Sequence, residues 1–187
     1  MAFLSSADSK PSSEVSTKTD SGLPSVPRFE RFAAYGFSVD YPVDCVLELR
    51  PKSKRDEGEV AFKSSSNNVY FLSWGPLEKV KNLRDVGRHA DYTIDRIRKN
   101  REAKIRDIKR ESVKVNGHSS PFNHLWIDVE RRGFLFGSTR SSHEIRSLHV
   151  HCENSSRYFM IYVQGAAEAS DLQGTVMTRM IQSFTCH

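Results

Sequence analysis

Seven histidines and three cysteines are the side chains with most chemical reach in this sequence of 187 residues. His149 and His151 lie two apart in a strand-like run, so their rings share one face at a spacing a metal can bridge. Cys152 points to the opposite face, which spoils a strand-borne His-His-Cys trio. His187 joins only if the end of the chain folds back, and Cys186 meets Cys152 only if the last helix lies over that strand. The expectation is therefore no metal, no cofactor, sheet-face histidines and free buried thiols. A second constellation is a row on one strand face: His124, Asp128 and Glu130, with Trp126 between them. An aspartate beside an imidazole holds the ring and has a lowered pKa, the elements of an acid–base cleft. No nucleophile is tied to the row, so a polar sheet face is the plainer reading and a small hydrolase or ligand cleft the alternative. Phosphate loops, GxGxxG, HExxH, CxxC and Gly-x-Ser-x-Gly elbows are absent. RRGFLFGS (131–138) fits no phosphate spacing and reads as a loop or edge. SSSNN (64–68) and SSH (141–143) read as turns.

The clearest surface signal is electrostatic. Arg96, Arg98, Lys99, Arg101, Lys104, Arg106, Lys109, Arg110 and Lys114 crowd nineteen residues, interrupted by Glu102, Asp107 and Glu111. The local balance of +6 exceeds the +5 of the whole chain. Presented together, these cations suit an acidic protein face or a phosphate backbone. Nucleic acid is the weaker alternative, because the stretch has no aromatic side chain for stacking and the nearest, Tyr92, reads as part of helix packing.

Hydrophobic periodicity supplies the elements that position these groups. Phe37, Val39 and Tyr41 alternate with polar residues, as do Cys45, Leu47 and Leu49 before Pro51. Val60 and Phe62 mark a short strand, and 69–74 is a dense aromatic and β-branched run. After Gly75-Pro76 the period changes. Leu83, Val86, Ala90, Ile94 and Ile97 form one stripe of a helix over about 83–99. Alternation resumes over 104–115, with Ile105 and Ile108 out of step in a way that suggests a bulge. Asn116-Gly117 then makes a two-residue hairpin turn. Leu125, Ile127 and Val129 form the next strand, and 145–152 and 158–163 another hairpin, with Cys152 packing beside Leu148 and Val150 in the core. Leu172, Val176, Met177, Met180, Ile181 and Phe184 stripe a last helix, capped by Ser170 or Asp171. Hairpin connections imply an α+β sandwich, a mostly antiparallel sheet with helices laid against it.

Residues 1–26 hold eight serines and no apolar period, the composition of a disordered tail ahead of one domain over 27–187. Hydrophobic content of 37% with 27% charged residues is that of a soluble protein with its own core. No apolar run of membrane-spanning or signal-peptide length occurs, so the expected location is cytoplasmic.

GFSVDYP (36–42), a tryptophan-bearing strand before a helix, the Asn-Gly turn, and RYFMIYVQG (157–165) followed by a helix ending MIQSF (180–184) together resemble the PsbP/Mog1-like superfamily. The likeness covers about 29–187, and within it the chain looks closer to uncharacterised prokaryotic members. It implies a central antiparallel sheet flanked by helices. It implies no catalytic residue, because the shared motifs are structural. The roles known in the superfamily, a photosystem II subunit and a partner of the Ran GTPase, point to recognition of a macromolecular partner rather than to chemistry.

Overall fold

Alternation and helical stripes sort the chain into strands and helices in the computed structural model, which describes residues 27–187 except 67, 84 and 133–137. The tail over 1–26 and the centre of RRGFLFGS lie outside the described residues. The strands are β1 (Phe29–Ala34), β2 (Phe37–Pro42), β3 (Cys45–Leu49), β4 (Gly58–Ser64), β5 (Val69–Pro76), β6 (Ala103–Val115), β7 (His118–Arg132), β8 (Ser138–Cys152) and β9 (Arg157–Ala166). Among the described residues two helices, α1 (Val86–Arg98) and α2 (Ser170–Ser183), interrupt and close the series, each preceded by a 3₁₀ segment. Among the described residues β3 to β9 form one seven-stranded sheet in the order β3-β4-β5-β9-β8-β7-β6, every pair antiparallel.

The opening strand departs from expectation. β2 does not enter the large sheet; it pairs with β1 in a separate two-stranded ribbon. β1 has no clean alternation: half of its positions are exposed and the other half only partly buried. Tyr35 and Gly36, both at positive φ, make the tight turn. Arg157 fixes that turn from β9, its guanidinium donating to the carbonyls of Tyr35 at 2.7 Å and Gly36 at 2.9 Å.

α2 and the ribbon cover one face of the large sheet. The core there is aromatic and continuous: Phe37, Phe62, Tyr70, Trp74, Phe159 and Phe184 are sealed from water with Val176, Met177 and Met180. Phe37 lies 4.9 Å from Trp74 and 5.5 Å from Phe159, ring centre to ring centre, at the tilted or edge-on angles aromatic quadrupoles prefer. α1 covers the other face with a smaller aliphatic core of Ile94, Leu125, Ile127 and Ile145. Asp85 caps α1, its carboxylate accepting from the Arg88 N–H at 2.8 Å.

α2 begins differently from the sequence reading. Neither Ser170 nor Asp171 caps it, because a 3₁₀ turn (Ala167–Ala169) runs straight into the helix and the Ser170 hydroxyl donates elsewhere, to Glu144. The expected stripe holds from Val176 to Phe184, but in the first turn Leu172 is exposed and Gln173 is buried instead. SSH (141–143) is strand rather than turn, because β8 extends to Ser138 and pairs these residues with β7. The expected bulge is present, with Arg106 the extra residue between Ile105 and Asp107.

Candidate functional site

The basic stretch falls at one end of the molecule. Arg96 and Arg98 lie in the last turn of α1, Lys99 and Arg101 in the connection, and the other five on β6. Among the described residues β6 has a neighbour strand on one side only. All nine cations are exposed. They do not form one flat face. Register places Lys104 and Lys109 on the α2 side of the sheet, opposite Asp128 and His124, and Arg110 and Lys114 on the α1 side. Four cations have intramolecular partners: Arg98 with Asp95, Arg106 with Asp128, Lys109 with Glu111 and Arg110 with Asp91. Among the described residues Arg96, Lys99, Arg101, Lys104 and Lys114 form no ion pair. Charge on an edge strand also deters unwanted strand pairing.

Tyr92 does not join the helix packing; it is 50% exposed, one turn before Arg96. Both residues border a groove of about 1240 Å³ between α1 and the sheet, together with Tyr158 and Lys79. The sequence reading missed this groove, because it is made where α1 stands away from the β3–β5 end of the sheet.

His124, Asp128 and Glu130 share the β7 face, but the structure does not bring them together as one site. His124 Nε2 lies 2.8 Å from Glu144 Oε2 on β8 rather than against Asp128. Trp126 Nε1 donates to the other Glu144 oxygen at 2.8 Å, Ser170 Oγ donates at 2.9 Å, and Arg146 Nη2 donates at 3.1 Å. Burial raises the Glu144 carboxyl, but the hydrogen bonds from His124 and Ser170 outweigh it and leave it below its ordinary value. Burial holds the His124 imidazolium off, so that ring titrates below its ordinary range. Asp128 is surrounded by cations: Arg140 at 2.6 Å and Arg106 at 3.3 Å, with Ser142 donating at 2.9 Å. The hydrogen bonds from Arg140 and Ser142 hold its carboxyl below the usual range. Glu130 is exposed. Both buried carboxylates are held by several donors, and the Glu144 network clips the start of α2 onto β7 and β8.

Five of the six remaining histidines form two clusters, while His143 lies 2.8 Å from Ser141 Oγ. His149 and His151 share the α1 face of β8, as their spacing requires, and His89 of α1 packs against both. His89 Nδ1 is 3.2 Å from His151 Nε2, while both ring nitrogens of His149 are buried without a partner. Desolvation pushes His89 down to about 4 and His149 down to about 3. On the other face the end of the chain does fold back. Thr185 pairs with Ser38 of β2 and carries Cys186 and His187 to Cys152 at the end of β8, beside His118 at the start of β7.

No protein-family model and no curated protein sequence matches this chain. Solved structures do match its shape. The cyanobacterial PsbP of Synechocystis shares 14% identity, with 89% of this chain and 96% of that one covered at a TM-score of 0.51. The Ran-binding protein Mog1p of Saccharomyces cerevisiae shares 6% identity over 86% of this chain and 96% of its own, at a TM-score of 0.50. The fold is the PsbP/Mog1-like α+β sandwich, and at such identities the likeness extends to the fold alone.

Proposed function

We propose that this is a non-enzymatic protein-binding or accessory domain that works in the cytoplasm and meets an acidic partner surface with the α1 end and β6. The observation that carries this is the set of five exposed cations, Arg96, Lys99, Arg101, Lys104 and Lys114, with no ion pair among the described residues. Unpaired cations on a rigid helix end and strand raise the local potential and steer an acidic surface into register. The carboxylates Glu144 and Asp128 support the non-enzymatic reading, since both are engaged by several donors of the protein itself. The Ran-binding description of Mog1p fits a recognition role.

Cross-linking in the native cell followed by peptide mapping tests the surface. Lys99, Lys104 and Lys114 are expected to link to acid-rich segments of one protein. Cross-links confined to Lys52 and Lys63, at the far edge of the sheet, would sink the assignment. The exposed Tyr92 beside Arg96 favours a second reading, single-stranded nucleic acid stacked on that ring. That reading requires oligonucleotide affinity falling steeply with salt and lost in Tyr92→Ala.

A further inference from the structure

Two cysteines and two histidines from three separate parts of the chain converge at one end of the sheet. One ligand atom from each of His118, Cys152, Cys186 and His187 lies within 4.8 Å of all the others. His187 Nδ1 is 3.4 Å from Cys152 Sγ and 3.4 Å from Cys186 Sγ. A tetrahedral zinc site with ordinary Zn–S and Zn–N bonds has ligand-to-ligand edges of roughly 3.3–3.8 Å. Two edges already have that length, and the others need a contraction of about 1.5 Å at most, within side-chain reach. The geometry points to a structural Zn²⁺ site formed by Cys152, Cys186, His118 and His187.

Four further observations agree with this assignment. Nε2 of His118 is sealed from solvent with no hydrogen-bond partner among the described residues, a cost a neutral imidazole nitrogen escapes by ligating a metal. Both cysteines are fully buried at the margin of the aromatic core. Two thiolates cancel the charge of Zn²⁺, so the ion rests there as a neutral unit rather than as a buried charge. Outer groups are in place as well. Asn116 Nδ2 lies 3.3 Å from Cys186 Sγ, where it donates to a thiolate. Asn154 lies 3.4 Å from His187 Nε2. With its amide turned, its oxygen accepts from Nε2–H and fixes Nδ1 as the metal-facing nitrogen.

The donor set selects the metal class. Paired thiolate and imidazole ligands in a tetrahedral arrangement suit Zn²⁺ and exclude the oxygen-seeking Mg²⁺ and Ca²⁺. Four protein ligands leave no open position, so the ion has a structural role: it pins 185–187 across the ends of β7 and β8. The Cys-Cys-His-His set escapes notice in the sequence because its members lie at 118, 152, 186 and 187 without the paired spacing of a zinc finger.

The test uses the full chain, reduced and stripped of metal, with Zn²⁺ and Co²⁺ alone as probes. The expected result is one equivalent of zinc bound, a rise in Tm, and cobalt spectra showing sulfur-to-metal charge transfer with the intense visible bands of a tetrahedral site. Cys152→Ser and Cys186→Ser should each weaken zinc by about 100-fold or more, above the effect of losing an outer-shell partner. The His187 side chain is exposed, so His187→Ala folds regardless; it should weaken zinc while keeping the sulfur band. Three results would overturn the site. The reduced chain takes up no zinc. Uptake is unchanged in the cysteine variants, as adventitious binding to other histidines requires. Or Cys152 and Cys186 persist as a disulfide that, once reduced, leaves the chain indifferent to cobalt.

Discussion

The two faces of the large sheet use the same residue types to opposite ends. Under α2, an aromatic core runs unbroken from Phe62 to Phe184, and two histidines, His118 and His187, lie beside thiols at its margin. Under α1, a four-residue aliphatic core is flanked by an open groove, and three histidines pack against one another, His89 bonded to His151 and His149 with both ring nitrogens unpaired among the described residues. β8 contributes to both: His149 and His151 face α1, while Cys152, one residue further, faces α2. What a histidine does here depends on its immediate neighbours as much as on its face: burial lowers His89 and His149 under α1 and His124 under α2 alike, and among the described residues only His118 and His187 come within reach of both thiols.

The sharpest way to break this comparison is to hollow each core. Phe159→Ala should cost about 3–5 kcal/mol, because the ring touches Phe37 and Phe184 in a region with no room to collapse. Ile94→Ala should fall toward the lower end of the roughly 2–5 kcal/mol range, since the groove lets α1 settle. Urea denaturation of both variants checks the order, and equal losses would erase the distinction between the faces.

Glu144→Ala comes next. It leaves the buried Arg146 guanidinium without its carboxylate and should cost about 3 kcal/mol, with the first turn of α2 losing hydrogen-exchange protection ahead of the rest.

Acid sharpens the α1 side. The folded pKa values of His89 and His149 lie below the unfolded value of about 6.5, so the unfolded chain binds more protons between those limits. Their stabilisation is complete above that unfolded value and declines as pH falls toward about 4 and then about 3. His149 alone should contribute a slope of about 1.4 kcal/mol per pH unit in this window. Denaturant midpoints at pH 7.5 and 5 measure it, and His149→Leu should flatten the dependence.

Charge reversal at the patch is the smallest effect on folding. Arg96→Glu with Lys99→Glu and Lys104→Glu should cost about 1 kcal/mol, because these side chains pair with nothing among the described residues and the loss comes from carboxylates placed at the C-terminal end of α1.

The periods of the sequence carried most of this architecture. Val113 and Val115 before Asn116-Gly117, or Ile94 and Ile97 on one stripe, encode burial locally, and burial is what alternation reports. β1 was not legible because FERFAA faces solvent for half its length and answers only to its partner strand. His89 was missed because a polar residue inside an apolar stripe looks like a break in it, whereas the histidines of β8 give it a place to pack. The basic stretch was legible as a count, but its division between the two sides of β6 depends on the bulge at Arg106. The return of Cys186 and His187 rests on a single bridge between Thr185 and Ser38, a tertiary contact no local pattern announces.

The claim with most consequence is that partner binding resides at the α1 end and β6 rather than in net charge. Affinity purification from the native cell should compare the wild type with Arg96→Glu/Lys99→Glu/Lys104→Glu and with an equal reversal at the far edge, Arg50→Glu/Lys52→Glu/Lys63→Glu. The account predicts that an acidic partner is lost from the first variant and retained by the second. Loss from both, or retention by both, would contradict it.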